Sequence, residues 1–324
     1  MDSLSGLDRG VAERVILGIN DDISIAELAS AFSAPRTRIR QTLNRLVKLG
    51  YPLILRRDIV QRRAFRLLDA QKLRADLSPW RIGQRIEWRL HTSSTQDELK
   101  RIAQTSEDGT VLLAETQYLG RGRRPRSWFS PFGGIWMSVL LRPTWPNSHQ
   151  ILTLGFALAV TRALSVVAKV PPLLKWPNDV MIRSRKVAGV LAEATYEGSK
   201  LNNLIVGLGV NANIRPALFQ KALRRTATSI SQELCREVDR NELSRNILEE
   251  MDNVYRRFES GRASELRDEA KSVCCTLGRK VRVTTAERVF EGQALDLGSD
   301  GQLVVRLKDR AEIELYAADV VHLR

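Results

Sequence analysis

The sequence predicts an α+β protein in three parts: a helical head over residues 1–67, a mixed or antiparallel sheet with helices over 83–272, and a small β-rich tail over 273–324. Three observations carry that expectation. Before residue 67 apolar residues recur at helical spacing. Between 83 and 272 short apolar runs alternate with helical stretches. Beyond 273 there are only short strand-like runs separated by turn residues. A chain of 324 residues has room for two or three such units.

In the head, Val11, Val15, Ile16 and Ile19 give a first amphipathic helix. Ser24-Ile25-Ala26-Glu27 is a capping box, which starts a short helix running to about Phe32. Ser33-Ala34 makes a turn, and Pro35 suits the first turn of the next helix because its missing N–H costs nothing there. Ile39, Leu43, Leu46 and Val47 form that helix's buried face, and Gly50 supplies a left-handed end. Leu53-Ile54-Leu55 and Ile59-Val60 read as a hairpin beyond it. The pattern is a winged helix-turn-helix. From Arg36 to Arg66 there are ten basic residues and one acid, Asp58. Arg36, Arg38, Arg40, Gln41, Asn44 and Arg45 are therefore the expected DNA-contacting residues, with a solvated basic face as the plainer alternative. Leu68 to about Ile82 shows no strong pattern and is expected to be a linker.

Lys and Arg exceed Asp and Glu by 14 overall: +5 within 1–67, +4 within 68–150 and +5 within 151–324. The excess is densest in the head, which fits a polyanionic partner. Cys235 and the adjacent pair Cys274-Cys275 give no disulfide framework, so a reducing, cytoplasmic setting is expected. Met1–Asn20 lacks the basic start and apolar run of a secretory signal. The apolar stretch Ile151–Val160 is broken at Thr161-Arg162, so no membrane partner is expected.

In the central part, Trp88-Arg89-Leu90 is a short strand candidate ahead of Thr92-Ser93-Ser94-Thr95-Gln96-Asp97-Glu98, a helix start that either caps itself or offers amides to a polar ligand. Val111–Gln117 and Gly134–Leu141 read as buried strands, and Ile151–Val167 as an apolar helix. Lys175–Ile182 and Lys186–Thr195 read as a hairpin around Arg183-Ser184-Arg185, with a further strand over Asn203–Asn211. Between the first two strands lies Gly120-Arg121-Gly122-Arg123-Arg124-Pro125-Arg126-Ser127-Trp128, a cationic loop.

That loop, taken with Trp128-Phe129-Ser130-Pro131, Lys175-Trp176-Pro177-Asn178-Asp179, Lys186–Glu193 and Gly207-Leu208-Gly209-Val210-Asn211, resembles the catalytic core of biotin protein ligases, including the bifunctional ligase-repressors. The resemblance extends over most of the chain. It implies a class II synthetase-like catalytic domain and, in the tail, an SH3-like barrel. It also implies that Ser94, Thr95, Gln96, Gln117, Arg121, Gly122, Arg123, Lys186 and Gly189 surround biotin. Arg123, Arg124, Asn178, Lys186 and Asn211 would hold ATP, with Mg²⁺ as the metal and its ligands unassigned. Lys186, Arg123 and Arg121 would carry the catalysis. Pro125 and Gln96 depart from the family's usual glycine and asparagine, and Ala317-Ala318-Asp319-Val320 lacks a glycine common near that point.

The implied chemistry explains these residue types. A carboxylate must attack the α-phosphate of ATP, so positioning and charge stabilisation dominate. Arginine forks hold phosphate and carboxylate with bidentate geometry. A lysine amine of a biotin carboxyl carrier protein then attacks the mixed anhydride. No nucleophilic triad is needed, and His91, His149 and His322 lack metal-ligand spacing. A lipoate ligase and a ligase-fold transcription factor that only senses the ligand are the competing readings. The expected partners are the carrier domain, operator DNA and a second copy in a ligand-promoted homodimer.

In the tail, Val281-Arg282-Val283, Val289–Ala294, Leu303–Leu307 and Ile313–Tyr316 are strand candidates, and Gly298-Ser299-Asp300-Gly301 supplies a turn.

Overall fold

The computed structural model describes residues 4–18, 22–123, 126–143, 149–198, 200–285 and 287–323; Ile19, Arg124, Pro125 and the side chain of His149 lie outside the described residues. The head comprises α1 (Gly6–Ile16), β1 (Asp22–Ser24), α2 (Ile25–Ala31), α3 (Arg36–Lys48), β2 (Leu53–Arg56) and β3 (Ile59–Arg62). The Ser24 hydroxyl accepts from the Glu27 amide and the Glu27 carboxylate accepts from the Ser24 amide, so the expected capping box starts α2. Gly50 takes a positive φ of 86° after α3. Pro35 sits one position earlier than expected, as the N-cap residue of α3. The hairpin β2–β3 gains an unforeseen third strand, because β1 pairs antiparallel with β3.

Arg36, Arg38, Arg40, Gln41 and Asn44 lie exposed on α3. Arg40 is ion-paired with Asp58 at 3.0 Å, and Arg45 is only partly exposed. The Arg45 guanidinium donates at 2.7 Å to Asp8, a carboxylate buried at the α1 start. Burial alone would raise that carboxyl's pKa, but hydrogen bonds from Ser5 and Thr42 and the charge of Arg45 hold it below the usual value. Arg45 therefore ties α3 to α1.

The linker expectation also fails. Residues 70–76 form α4 (Ala70–Asp76), and Leu68, Leu73, Leu77 and Ile82 are buried in the main core. The Asp252 carboxylate accepts from the amides of Trp80, Arg81 and Ile82, fixing the stretch that follows. A run with little periodicity is ordered by distant polar partners.

The central sheet has seven strands: β4 (Ile86–Thr92), β5 (Val111–Gln117), β6 (Ile135–Leu141), β7 (Leu173–Lys175), β8 (Asp179–Ile182), β9 (Arg185–Glu197) and β10 (Lys200–Val210). Their order is β4-β5-β6-β10-β9-β8-β7, antiparallel except for the parallel pair β4–β5. The expected single strand Lys175–Ile182 is instead two strands, β7 and β8, joined by a turn with a cis Trp176–Pro177 bond. Helix α5 (Thr95–Ile102) packs near the β5–β6 side, and α6 (His149–Val167) packs with α8 (Arg240–Glu259) and α9 (Ala263–Val273). A short helix, α7 (Ile230–Leu234), precedes α8.

Helix α6 corrects the membrane argument. Gln150–Val167 is long and apolar enough to cross a membrane by length and composition, but two-thirds of it is buried inside the protein. Its apolar surface is used against the sheet and the two neighbouring helices.

The tail is a five-stranded antiparallel sheet, β11 (Lys280–Thr284), β12 (Val289–Leu297), β13 (Leu303–Arg306), β14 (Glu312–Leu315) and β15 (Asp319–His322), in the order β14-β13-β12-β11-β15. Its Val281, Val283, Leu303 and Val305 share one apolar core with the central domain, which seats β15 against the site.

Candidate functional site

A cavity of about 490 Å³ opens over β6, β9 and β10. Its walls are the α5 start, the arginine loop, the Trp176–Asp179 turn, residues 219–227 and β15. Glycines shape the floor. Cβ atoms at Gly207 and Gly209 would collide with Gln96 Oε1 and Trp128 Nε1, so both side chains lie directly on the sheet. Gly189 faces Gly209 across β9–β10 and lets Trp128 and Lys186 approach together. The Lys186 ammonium stands 4.8 Å from the Trp128 ring centroid, and Trp128 Nε1 is a buried donor with no hydrogen-bond partner among the described residues.

One end of the cavity is a buried polar cluster at the α5 start. Ser94 caps the helix. Gln117 Oε1 accepts from the Thr95 amide at 2.8 Å and from its hydroxyl at 3.1 Å, while Gln117 Nε2 donates to Ser130 at 2.9 Å. Thr95 also bonds Ser138 at 2.8 Å. Gln96 donates to Glu193 at 2.8 Å. The other end is bounded by Asn178, whose amide donates to the Val190 carbonyl, and by Asn211, which donates to Thr228 at 2.9 Å. Both asparagines are thereby held in fixed orientations.

The cations stand between these ends, and each already has an anionic or polar partner. Arg121 bonds Asp97 at 2.5 Å and Glu193 at 2.6 Å. Lys186 lies 2.5 Å from Asp179. Arg126 bonds Asp319 on β15 at 2.6 Å. Arg123 approaches the Asn178 carbonyl oxygen at 3.5 Å and the Ala318 carbonyl at 3.4 Å. Lys186 is held on β9 by backbone bonds to Thr226 and Thr228, which fixes it as a strand residue.

Among the described residues, every one that the resemblance assigns to biotin or ATP lines one cleft. Sequence reasoning missed the carboxylates Asp97, Asp179, Glu193 and Asp319 as partners, together with Ser138 and the β15 residues. All four carboxylates stood within quoted stretches, but nothing in the sequence paired them with these cations.

A cleft with a buried polar end, several cations and two fixed amides is suited to an anionic ligand. Residues 89–211 match the biotin/lipoate A/B protein ligase family, and residues 276–323 match the biotin protein ligase C-terminal domain. The bifunctional ligase/repressor BirA of Bacillus subtilis is 30% identical over 310 residues, 93% of this chain and 94% of its own. The biotin–[acetyl-CoA-carboxylase] ligase of Mycobacterium tuberculosis is 32% identical over 273 residues, covering 79% of this chain and 96% of its own. Biotin protein ligase from Aquifex aeolicus in complex with biotin and ATP superposes with a TM-score of 0.67 at 28% identity, over 74% of this chain and 100% of its own. The chain belongs to the biotin protein ligase family.

Proposed function

We propose that this chain activates biotin with ATP to biotinyl-5'-AMP, transfers biotin to a lysine of a carrier protein, and represses transcription through its head. The observation that supports the ligase reading most is the placement of Lys186. Its ammonium lies between the Thr95–Gln117 end and the Asn178–Asn211 end of one cleft. Biotin's ring system fits the polar closed end, and the nucleotide fits the end bounded by the asparagines. Lys186, Arg121 and Arg123 then surround the point where the biotin carboxylate oxygen meets the α-phosphorus and pyrophosphate departs. On binding, the ligand's anionic oxygens replace Asp179, Asp97 and Glu193 as partners of these cations. The lysine amine of the acceptor next attacks the acyl carbon and AMP leaves. Among the described residues no group of three potential metal ligands stands together. Mg²⁺ arriving on the triphosphate needs only one or two carboxylates from protein, and Asp179 beside Lys186 is suited to that.

The repressor reading draws on the exposed basic face of α3 and the adjoining hairpin, a winged-helix pattern. The B. subtilis relative, named for both activities, matches nearly the full length of this chain. A single head offers a small contact surface, so high specificity calls for two half-sites and a dimer favoured by the adenylate. A cytoplasmic location belongs to the same reading. One assay tests the enzyme: ATP-dependent transfer of labelled biotin to a carrier domain. Biotin binding without transfer would leave only a sensor. Operator affinity and sedimentation, each with and without biotin plus ATP, test the repressor.

A further inference from the structure

A buried hydrogen bond ties the head to β5 one residue from the polar end of the cleft. Tyr51, just after α3, is fully buried, and its hydroxyl lies 3.1 Å from Thr116 Oγ1. The Thr116 hydroxyl donates to the Leu90 carbonyl at 3.3 Å, so Tyr51 is the donor to Thr116. Thr116 is the neighbour of Gln117 on β5, and successive strand side chains face opposite sides. One residue thus faces the head while the next faces the cleft.

A second route runs in parallel. The Tyr51 ring centroid lies 5.5 Å from that of Phe132, whose amide donates to the Leu49 carbonyl at 3.0 Å. Phe132 follows Ser130 by two residues, and Ser130 accepts the other hydrogen bond of the Gln117 carboxamide. Tyr51 thus adjoins Gln117 along β5 through Thr116 and at its carboxamide Nε2 through Phe132 and Ser130, while Thr95 holds the Oε1.

The surroundings keep this contact rigid. Glu115, one residue before Thr116, forms an ion pair with Arg240 at 2.7 Å, with both side chains almost wholly buried. Arg240 also donates to the Arg66 carbonyl at 2.6 Å, and the Leu68 amide donates to Glu115 at 2.6 Å. The segment leaving the head is clamped to β5 and cannot pivot without breaking buried polar bonds.

We infer that Tyr51 is a positioning residue for the biotin site, acting through Thr116 and Gln117, so that head placement and biotin affinity are coupled within one chain. This rests on the ligase reading. Coupling is reciprocal, so biotin must also favour the docked head. Losing one buried hydrogen bond that orients a ligand-contacting amide weakens biotin binding by about 3- to 10-fold.

The test is calorimetric titration of biotin and, separately, of ATP into the full chain and into Tyr51→Phe, Thr116→Val and the double variant. The expected result is a biotin Kd raised about 3- to 10-fold in each single variant, with ATP affinity within about twofold. The double variant should be no weaker than the weaker single one, because both remove the same bond. An unchanged biotin Kd in folded Tyr51→Phe overturns the coupling, as does equal weakening of biotin and ATP, which a loosened fold alone would produce. Additive losses in the double variant overturn the proposed route. Absence of biotin binding by the unaltered chain would overturn the ligase reading as well, so the two failures are distinguishable.

Discussion

The head and the cleft are both rich in arginine, yet they dispose of the charge in opposite ways. On α3, Arg36 and Arg38 project from an exposed face. In the cleft, Arg121, Arg126 and Lys186 each lie against a carboxylate of the fold. Open charge suits a long polyanion, whose binding releases counterions and depends steeply on salt. Compensated charge suits a small anionic ligand, which enters by exchanging one partner for another at modest cost. Such half-exposed pairs are worth little in themselves and so can be exchanged. Arg40 and Arg45 mark the boundary between the two regimes: both lie within the head's basic run but are engaged by Asp58 and Asp8.

The largest effect expected from breaking this contrast is at Lys186. Replacing it with alanine removes the ammonium that brings two anions together and leaves Asp179 without that partner. Biotin-dependent ATP–pyrophosphate exchange should fall on the order of 10²–10³-fold, while circular dichroism stays that of the unaltered chain. Near-normal exchange by the folded variant would remove Lys186 from the mechanism.

A smaller effect should appear in the head. The double variant Arg36→Ala, Arg38→Ala should lower the slope of log affinity against log salt by about one for each phosphate that either arginine neutralises. Affinity should fall similarly on operator and unrelated DNA, and biotin transfer should stay within about twofold. A salt slope unchanged by both substitutions would show that α3 does not meet the phosphates.

How much of this was legible in the chain depended on how local each cause was. The capping box at Ser24 and the glycine after α3 depend on neighbours within a few residues, and both stand where the sequence puts them. The cleft's cations were legible as a dense loop motif. Their counter-charges were not, because Arg121 meets Glu193 across 72 positions and Arg126 meets Asp319 across 193. The stretch around α4 failed for the same reason. Its order comes from Asp252, and from Arg240 and Asn241 acting on Arg66, Leu67 and Asp69, none of which shows as periodicity. Strand β15 was missed because Ala317-Ala318-Asp319 offers little apolar alternation, yet its pairing with β11 puts Ala318 and Asp319 at the cleft.

The smallest expected effect concerns acid and the seating of that tail. His322 on β15 lies 3.2 Å from the Thr276 hydroxyl oxygen, which accepts from the Trp176 amide at 3.1 Å. Burial first, and then the charges of Lys175 and Arg279, lower the His322 pKa from 6.5 to about 4. A proton is therefore bound more readily by the unfolded chain, and stability rises with pH between those values. The contribution is complete above about pH 6.5, falls as the pH drops towards 4, and levels off below. His322→Asn cannot titrate there, so the difference in melting temperature between the two proteins isolates the imidazole from the carboxylates that titrate at the acid end. The unaltered chain should lose on the order of 1–2 °C more than His322→Asn between pH 7 and 4.5, the small size reflecting partial exposure and a long chain. Parallel melting curves across that range would mean that the imidazole titrates alike in the folded and unfolded chain.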